Sequence, residues 1–222
     1  MSEFLAIVVL NGEAPRGFAA AALWTLSQRT PRPLIIAADG GAGILLAQGI
    51  YPDIFIGDGD SLNLRQQQQL KDHQIEMIIL PCEKDLGDGQ AAVELAMERT
   101  DGRIAIFGAF GGRLDFTLAN VMLPLIFGHQ QSLRACFFGA NHVARYAANQ
   151  DVLRGHDGET VSLLAISPQV NGITLQGFAY PLDNYTLTTG SSRGISNIIR
   201  QEDCQITHTD GDLLIIHTRK EQ

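Results

Sequence analysis

Apolar and polar positions follow one pattern in the first part of the chain and another in the second. Up to about residue 140, continuous apolar runs of strand length alternate with segments of helical periodicity. The apolar runs occupy residues 4–10, 34–38, 53–57, 75–80, 103–108 and 133–138, and the helix-like segments occupy 15–28, 41–48, 62–72, 89–99 and 114–127. Continuous apolar runs are typical of strands that are covered on both faces. The pattern predicts a doubly wound, mostly parallel sheet with helices on both faces.

Beyond about residue 142 the helical periodicity disappears, and short β-rich segments follow one another closely. They occupy residues 143–148, 159–167, 170–178, 184–190, 195–200, 203–208 and 212–218. Turn residues such as Asn171-Gly172 and Asp210-Gly211 separate them. Short strands at this spacing predict an antiparallel β-sandwich. We therefore expect a fold of the α/β plus all-β class with two domains, residues 1–142 and 143–222.

Composition and charge narrow the range of partners. The 222 residues are 45% hydrophobic and 18% charged, as in ordinary globular proteins. A net charge of −8 argues against a nucleic-acid backbone as partner, but divalent cations can still hold a nucleotide on an acidic surface. The apolar start at 4–10 is too short to span a bilayer and follows Glu3 rather than a basic stretch. We expect a cytoplasmic protein that does not bind membranes.

Candidate chemistry lies in the loops that follow the predicted strands. The loop Gly57-Asp58-Gly59-Asp60-Ser61 places two carboxylates two residues apart in a tight turn. Mg²⁺ prefers such hard oxygen ligands and shares its coordination shell with phosphate oxygens. An ordinary capped turn is the alternative, with both aspartates bonded to local backbone and Ser61 as the N-cap of the next helix.

Two further loops suggest phosphate binding. In Lys84-Asp85-Leu86-Gly87-Asp88 the lysine can pair with phosphate as a point charge, while Asp88 stands where an N-cap is expected. In Asp39-Gly40-Gly41 the glycines allow a ligand to approach the backbone closely. Taken singly, the first loop is equally typical of an exposed ion-paired loop, and the second of a plain strand-to-helix turn.

The loop at 108–115 adds an arginine, Arg113, after two adjacent glycines at a predicted helix start. Free amide hydrogens there favour anions, and the arginine fork can bind phosphate at two points. The chain matches neither the Walker A loop nor the GxGxxG fingerprint. A formal GxSxG match at 190–194, centred on Ser192, is flanked by β-like sequence on both sides, so it does not favour a hydrolase.

An open parallel sheet binds ligands outside the carboxyl ends of its strands, so these loops are expected to meet at one edge. Together they suit a metal-bound polyphosphate. Their order also resembles that of the thiamine pyrophosphokinases. The motifs that carry the resemblance are Asp39-Gly40-Gly41-Ala42, Gly57-Asp58-Gly59-Asp60-Ser61, Lys84-Asp85-Leu86-Gly87-Asp88, Gly112-Arg113-Leu114-Asp115 and Gly194-Ile195-Ser196-Asn197.

The resemblance implies transfer of the pyrophosphoryl group of ATP to the hydroxyl of thiamine, giving thiamine diphosphate and AMP. It also implies a homodimer with the substrate site between subunits. The Mg²⁺-binding acids map onto Asp58, Asp60 and Asp88, with Asp85 alongside. The nucleotide contacts map onto Asp39, Gly40, Gly41, Lys84, Arg113 and Asp115, and the thiamine contacts onto Ser196 and Asn197.

In the mechanism that follows, Lys84 and Arg113 stabilise charge on the phosphoryl oxygens. Either Asp85 or Asp115 accepts the proton of the alcohol, and the sequence does not choose between them.

Four positions depart from the family pattern: Gly43, Gly87, Phe116 and Ile198 stand where Asn, Thr, His and Glu are common. They leave open two alternatives. One is a pyrophosphokinase for another heteroaromatic alcohol such as a pterin, and the other is a non-catalytic nucleotide or thiamine sensor.

Overall fold

The computed structural model describes residues 4–81, 86–127 and 134–220, and the chain divides into two compact units, Met1–Ala140 and Asn141–Gln222. In the first unit the apolar runs form parallel strands. They are β1 (Ala6–Val9), β2 (Leu34–Ala38), β3 (Ile54–Gly57), β4 (Glu76–Ile79), β5 (Arg103–Phe107) and β6 (Arg134–Phe138). Their order in the sheet is β6-β5-β1-β2-β3-β4. All four residues of β1 are buried, because the strand lies between β2 and β5 and is also in contact with the helices that follow β2 and β4.

Helices connect these strands. They are α1 (Gly17–Ser27), α2 (Gly41–Ala47), α3 (Leu64–Asp72), α4 (Asp88–Arg99) and α5 (Leu114–Ile126). The chain moves outward from β1 to β4 and then returns to β5 on the other side of β1. With right-handed crossovers this reversal places α1 to α3 on one face of the sheet and α4 and α5 on the other. Contacts of α2 with α3, and of α4 with α5, agree with that arrangement.

The starts of α3 and α4 differ from the sequence prediction. The N-cap of α3 is Asn63, whose side chain accepts a hydrogen bond from the backbone N–H of Gln66, while the Gln66 side chain accepts one from the N–H of Asn63. This reciprocal pair is a capping box. The N-cap of α4 is Gly87, and Asp88 is the first helical residue. The expected N-cap roles of Ser61 and Asp88 were therefore wrong.

The second unit consists of antiparallel strands. They are β7 (His142–Tyr146), β8 (Gln150–Arg154), β9 (Thr160–Ala165), β10 (Gln169–Gln176), β11 (Leu182–Thr188), β12 (Asn197–Ile198), β13 (Asp203–Thr207) and β14 (Leu213–Thr218). One set of strands has the order β12-β9-β14-β7, and a separate four-stranded sheet has the order β11-β10-β13-β8. All neighbours within each set are antiparallel.

Alternation of buried and partly exposed residues builds the core of the second unit. In β9 every second residue, Val161, Leu163 and Ala165, is buried. Side chains of β10, β11 and β13 join the same apolar cluster from the other sheet. Two sheets that share one apolar core in this way form a β-sandwich. The predicted fold class, α/β plus all-β, is confirmed.

One strand of the sandwich, β8, was not predicted. No helix in the described residues is long and apolar enough to cross a membrane.

Candidate active site

The order of strands in the first unit's sheet reverses next to β1, which has β2 on one side and β5 on the other. Ligands of open α/β sheets bind at such a reversal. The loop after β1 is bonded there to the loop after β5: the N–H of Gly12 donates to the carbonyl of Gly108 and that of Glu13 to the carbonyl of Phe110, both at 2.8 Å. These two loops are therefore joined at the carboxyl edge of the sheet.

Three carboxylates converge at the same edge, from the loops after β2 and β3. One oxygen each of Asp39, Asp58 and Asp60 lies within 4.8 Å of the other two. Asp39 and Asp58 are half-buried, and Asp60 is exposed. We call these three residues the acidic cluster. Their separation suits a shared divalent cation with hard oxygen ligands.

Asp39 shows two further signs of a functional position. Its backbone lies in the left-handed region, with φ 47°, which is uncommon for a residue other than glycine. Its Oδ1 atom is buried and has no hydrogen-bond partner among the described residues. A buried carboxylate oxygen without a partner is costly, so a cation at this atom would remove a penalty that the fold otherwise carries.

A glycine allows Asp39 to lie against the loop after β3. Gly57 has φ +151°, and a Cβ atom at this position would lie 3.1 Å from the Cα atom of Asp39. Any other residue would be strained and would also push the two loops apart. Gly57 therefore contributes to bringing Asp39 next to Asp58 and Asp60.

Ser61 joins the acidic cluster through its side chain. Its hydroxyl donates to Oδ2 of Asp39 at 2.5 Å and lies 3.2 Å from Oδ1 of Asp60. The side-chain amide of Asn11 donates to the same Oδ2 of Asp39 at 3.2 Å and reaches Oγ of Ser61 at 3.4 Å. The loops after β1, β2 and β3 are thus connected by side-chain hydrogen bonds.

The other described residues predicted to bind phosphate or metal are not members of the acidic cluster. Asp88 begins α4 and is not a member of the acidic cluster as the described residues define it. Lys84 and Asp85 lie outside the described residues. Gly40 and Gly41 lie at the start of α2, directly after Asp39. The metal roles expected for Asp58, Asp60 and Asp88 stay predictions.

Arg113 and Asp115 form a two-point ion pair at the start of α5. Nε of Arg113 donates to Oδ1 of Asp115 at 3.1 Å, and Nη2 donates to Oδ2 at 2.5 Å. The guanidinium also lies 4.3 Å from the ring centroid of Phe116. The hydrogen bonds from Arg113 lower the pKa of the Asp115 carboxyl, and the same bonds raise the pKa of Arg113.

In the second unit a cavity of about 360 Å³ adjoins the residues predicted to contact thiamine. It is lined by Leu175, Tyr180, Pro181, Leu182, Ser192, Arg193, Gly194, Ile195 and Asn197. The GxSxG match at 190–194 connects β11 to β12, so it lacks the strand-to-helix turn of a nucleophile elbow. Ser192 lines this cavity instead.

Asn197 lines the cavity, and hydrogen bonds hold its side chain in place. Its Oδ1 accepts from the N–H of Tyr180 at 3.0 Å, and its Nδ2 donates to the carbonyl of Tyr180 at 2.7 Å. The residue is buried, and these bonds fix the segment between β10 and β11 that contains Tyr180. Its neighbour Ser196 is exposed and has a left-handed backbone, with φ 59°.

Three features of these sites were missed from the sequence. They are the side chain of Asn11, the hydrogen bond from the Ser61 hydroxyl to Asp39, and the backbone of Tyr180 as the partner of Asn197. A signal existed for Ser61, because the Asn63-x-x-Gln66 spacing marks a capping box and leaves Ser61 available for another bond. For Asn11 there was none, since its contacts depend on the order of β1, β2 and β3 in the sheet.

Two family models match the chain. The model described as thiamin pyrophosphokinase, catalytic domain, matches residues 27–137, and the model described as thiamin pyrophosphokinase, vitamin B1 binding domain, matches residues 149–214. Among characterised proteins, the thiamine pyrophosphokinase of Bacillus subtilis (strain 168) is 29% identical over 187 residues, which cover 83% of this chain and 87% of that protein.

Solved structures show the same architecture. The crystal structure of the thiamine pyrophosphokinase from Bacillus subtilis has a TM-score of 0.85 and 25% identity, covering 97% of this chain and 99% of that one. The corresponding structure from Geobacillus thermodenitrificans has a TM-score of 0.82 and 26% identity, with 98% of each chain covered. The yeast structure, at 16% identity, shares the fold with a TM-score of 0.79 and covers 98% of this chain and 87% of that one.

The fold, the edge of carboxylates and these matches define a transferase of the kinase class. Within that class, the chain belongs to the thiamine pyrophosphokinase family.

Proposed function

We propose that this protein transfers the pyrophosphoryl group of ATP to the hydroxyl of thiamine, giving thiamine diphosphate and AMP. Family membership supports the reaction class. The observation that carries the proposal to this chain is the convergence of Asp39, Asp58 and Asp60 at the carboxyl edge of the sheet. Three carboxylates next to each other repel a polyphosphate unless a cation lies between them, so this edge suits a metal-bound nucleotide.

Asp58 and Asp60 would hold Mg²⁺, with Asp88 as the further ligand that the resemblance implies. When bound, Mg²⁺ supplies neutralisation of the charge on the phosphate oxygens. The buried, unpartnered Oδ1 of Asp39 fits the same group, so Asp39 is a candidate metal ligand as well as a nucleotide contact. Gly40 and Gly41 would contact the nucleotide through their backbone at the start of α2, since the space beside them is filled by Asn11 and by the carbonyl of Val9.

Arg113 would bind phosphoryl oxygens through its planar fork, and Lys84 would add a point charge. Asp115 bonds the Nε/Nη2 edge of the guanidinium, which holds Arg113 in one orientation and would leave the Nη1 side to face the phosphoryl oxygens. A carboxylate whose pKa is lowered by an arginine is a weaker proton acceptor. Asp115 is therefore better suited to orienting Arg113 than to taking the alcohol proton, and the base role passes to Asp85, the other candidate.

Thiamine would bind in the second unit, at the cavity next to Ser196 and Asn197. Its lining combines apolar side chains with the polar edge of Asn197, as small-molecule pockets commonly do. Because Asn197 is committed to the backbone of Tyr180, it shapes the cavity wall, and Ser196 is the more available side chain for a direct contact.

We extend the proposal to a homodimer, which the exposed surface of α5 supports. Several apolar side chains of this helix are exposed. Four of them recur at every fourth residue, from Leu114 to Ile126. The exposed residues are Leu114, Phe116, Leu118, Met122, Leu125 and Ile126. Exposed apolar stripes of this kind mark interaction surfaces, and a second copy of the chain is the occupant that the resemblance implies. Light scattering should give twice the mass of one chain, whereas a monomer would contradict the dimer.

The experiment that tests the function is incubation with ATP, Mg²⁺ and thiamine while AMP and thiamine diphosphate are followed by chromatography. A parallel incubation replaces thiamine with a pterin alcohol. AMP formation with thiamine but not with the pterin supports the proposal. AMP formation with the pterin but not with thiamine would indicate a pyrophosphokinase for another alcohol. Tight binding of nucleotide or thiamine without any AMP would indicate a non-catalytic sensor. The family matches do not favour either alternative. The cytoplasmic location stays a prediction.

A further inference from the structure

The side chain of Asn11 connects three loops at the carboxyl edge. It leaves the end of β1, while the residues it contacts follow β2 and β3. Its amide donates to Oδ2 of Asp39 at 3.2 Å and to Oγ of Ser61 at 3.4 Å, and Ser61 itself donates to Oδ2 of Asp39 at 2.5 Å. Oδ2 of Asp39 therefore accepts two hydrogen bonds, each from a different loop.

These two donors determine which oxygen of Asp39 remains for a ligand. With Oδ2 occupied by Asn11 and Ser61, rotation of the carboxylate would break both bonds. The other oxygen, Oδ1, is buried and has no hydrogen-bond partner among the residues that the structure describes. Fixing one oxygen thus also fixes the other, on a carboxylate that belongs to the acidic cluster.

Gly40 shows that the fold leaves room for Asn11. A Cβ atom at position 40 would lie 2.1 Å from Oδ1 of Asn11, well inside van der Waals contact. The backbone of Gly40 is helical, with φ −57°, so an alanine would meet no backbone strain there. A side chain at position 40 would therefore displace the side chain of Asn11.

We propose that Asn11 is a positioning residue for the acidic cluster: with Ser61, it orients the carboxylate of Asp39 so that Oδ1 is presented to the divalent cation. The inference rests on the proposed function, in that it assumes a cation at this edge. Side chains that orient metal ligands commonly change metal affinity by about 10–100-fold when they are removed. Asn11 itself contacts neither the cation nor the transferred group in this account.

The test measures cation binding and turnover separately. Binding of Mn²⁺, as a spectroscopic substitute for Mg²⁺, is followed by electron paramagnetic resonance in the protein with ATP, and turnover is titrated with Mg²⁺. The variants are Asn11→Ala and Gly40→Ala, which displaces Asn11 without removing it. Asn149→Ala is the control, since it removes another exposed carboxamide. The Asn149 side chain donates to the carbonyl of Thr209, far along the chain from the acidic cluster.

We expect Asn11→Ala and Gly40→Ala to weaken Mn²⁺ binding by roughly tenfold or more, with thermal unfolding close to that of the control. Raised Mg²⁺ should restore much of the lost kcat, which a general loss of structure would not allow. Wild-type Mn²⁺ affinity in Asn11→Ala would overturn the inference, as would a loss of turnover that Mg²⁺ does not restore. Weakened Mn²⁺ binding in a protein that makes no thiamine diphosphate would support the inference while refuting the proposed function.

Discussion

Arg113 and Asp115 hold each other at the first turn of α5 through two parallel hydrogen bonds, Nε to Oδ1 at 3.1 Å and Nη2 to Oδ2 at 2.5 Å. Both side chains are largely exposed, so the pair adds little to stability. Its consequence is geometric: the guanidinium is oriented by Asp115 and by the ring of Phe116 before any nucleotide arrives.

Replacing Arg113 by lysine should therefore be far from conservative. Arg113→Lys keeps the charge but loses the planar fork that binds Asp115 at two points and that we propose to bind phosphate. We expect kcat for thiamine diphosphate formation to fall on the order of 100-fold, with unchanged stability. Arg99→Lys is the matched control, because Arg99 is exposed and its ion pair with Glu76 is long, at 3.5 Å. Equal activities of the two variants would show that Arg113 has no part in catalysis.

Gly57 gives a second prediction. Gly57→Ala combines a strained backbone with crowding against Asp39, so it should cost about 1–3 kcal/mol of stability. It should also reduce turnover beyond what the loss of folded protein explains, because the acidic cluster would be spread apart. Gly49→Ala is the control: φ is +70° there, but a Cβ atom would meet nothing within 4 Å. Similar activity per folded molecule in both variants would contradict the close-approach argument.

Asn197 and Ser196 should behave differently when each is replaced by alanine. Asn197→Ala removes a buried side chain and leaves the N–H and carbonyl of Tyr180 without these partners, which should cost roughly 1–3 kcal/mol and raise the KM for thiamine. Ser196→Ala should leave stability within about 0.5 kcal/mol, because the residue is exposed, and still raise the KM. Denaturant unfolding and steady-state kinetics separate the two effects. An unchanged KM in Ser196→Ala would remove Ser196 from the thiamine site.

His208 predicts how stability depends on pH. It is buried, and neither ring nitrogen has a hydrogen-bond partner among the described residues. Burial lowers its pKa below the ordinary 6.5, although the nearby charges of Asp151, Asp210 and Asp212 act in the opposite direction. The unfolded chain therefore binds the proton more readily, and stability should fall as the pH drops below about 6.5.

The variant that tests this is His208→Leu, which replaces an unpartnered imidazole by an apolar side chain. It should be at least as stable as the wild type at pH 7.5 and should lose less stability on going to pH 5.5. Burial also lowers the pKa of His142 and His217, so part of the pH dependence should remain. His156→Gln controls for the loss of an exposed imidazole. An unchanged pH dependence in His208→Leu would refute the assignment.

Much of the fold could be predicted because its signals are local. The strand β1 is apolar at every position and β5 at every position after Arg103, so their type follows from the sequence, whereas the predicted ranges 4–10 and 103–108 extend up to two residues beyond the observed strands. The strand β8 gives no such signal, since Leu153 is its one buried residue. Asp151, in the same strand, is used in an ion pair with Arg145. An edge strand with this pattern resembles a polar loop.

The site was predictable where its residues are acidic or glycine-rich and was missed where bonding crosses between loops. Asp58 and Asp60 stand out in a short motif, and Asp39 was recognised as a ligand-binding residue without its proximity to them. The role of Ser61 was misassigned because a hydroxyl before a helix usually caps it, whereas here Asn63 does so. The contacts of Asn11 follow from strand order, which no local pattern specifies.

The central claim is that the acidic cluster supports transfer of a pyrophosphoryl group to thiamine. The most direct test uses ATP labelled at the β-phosphorus, with Mg²⁺ and thiamine, in the wild type and in Asp58→Asn. We predict that the label moves into thiamine diphosphate with release of unlabelled AMP. Asp58→Asn should slow this by about 100-fold or more and remain folded. Label left in ADP or released as inorganic phosphate, or a wild-type rate in Asp58→Asn, would contradict the account.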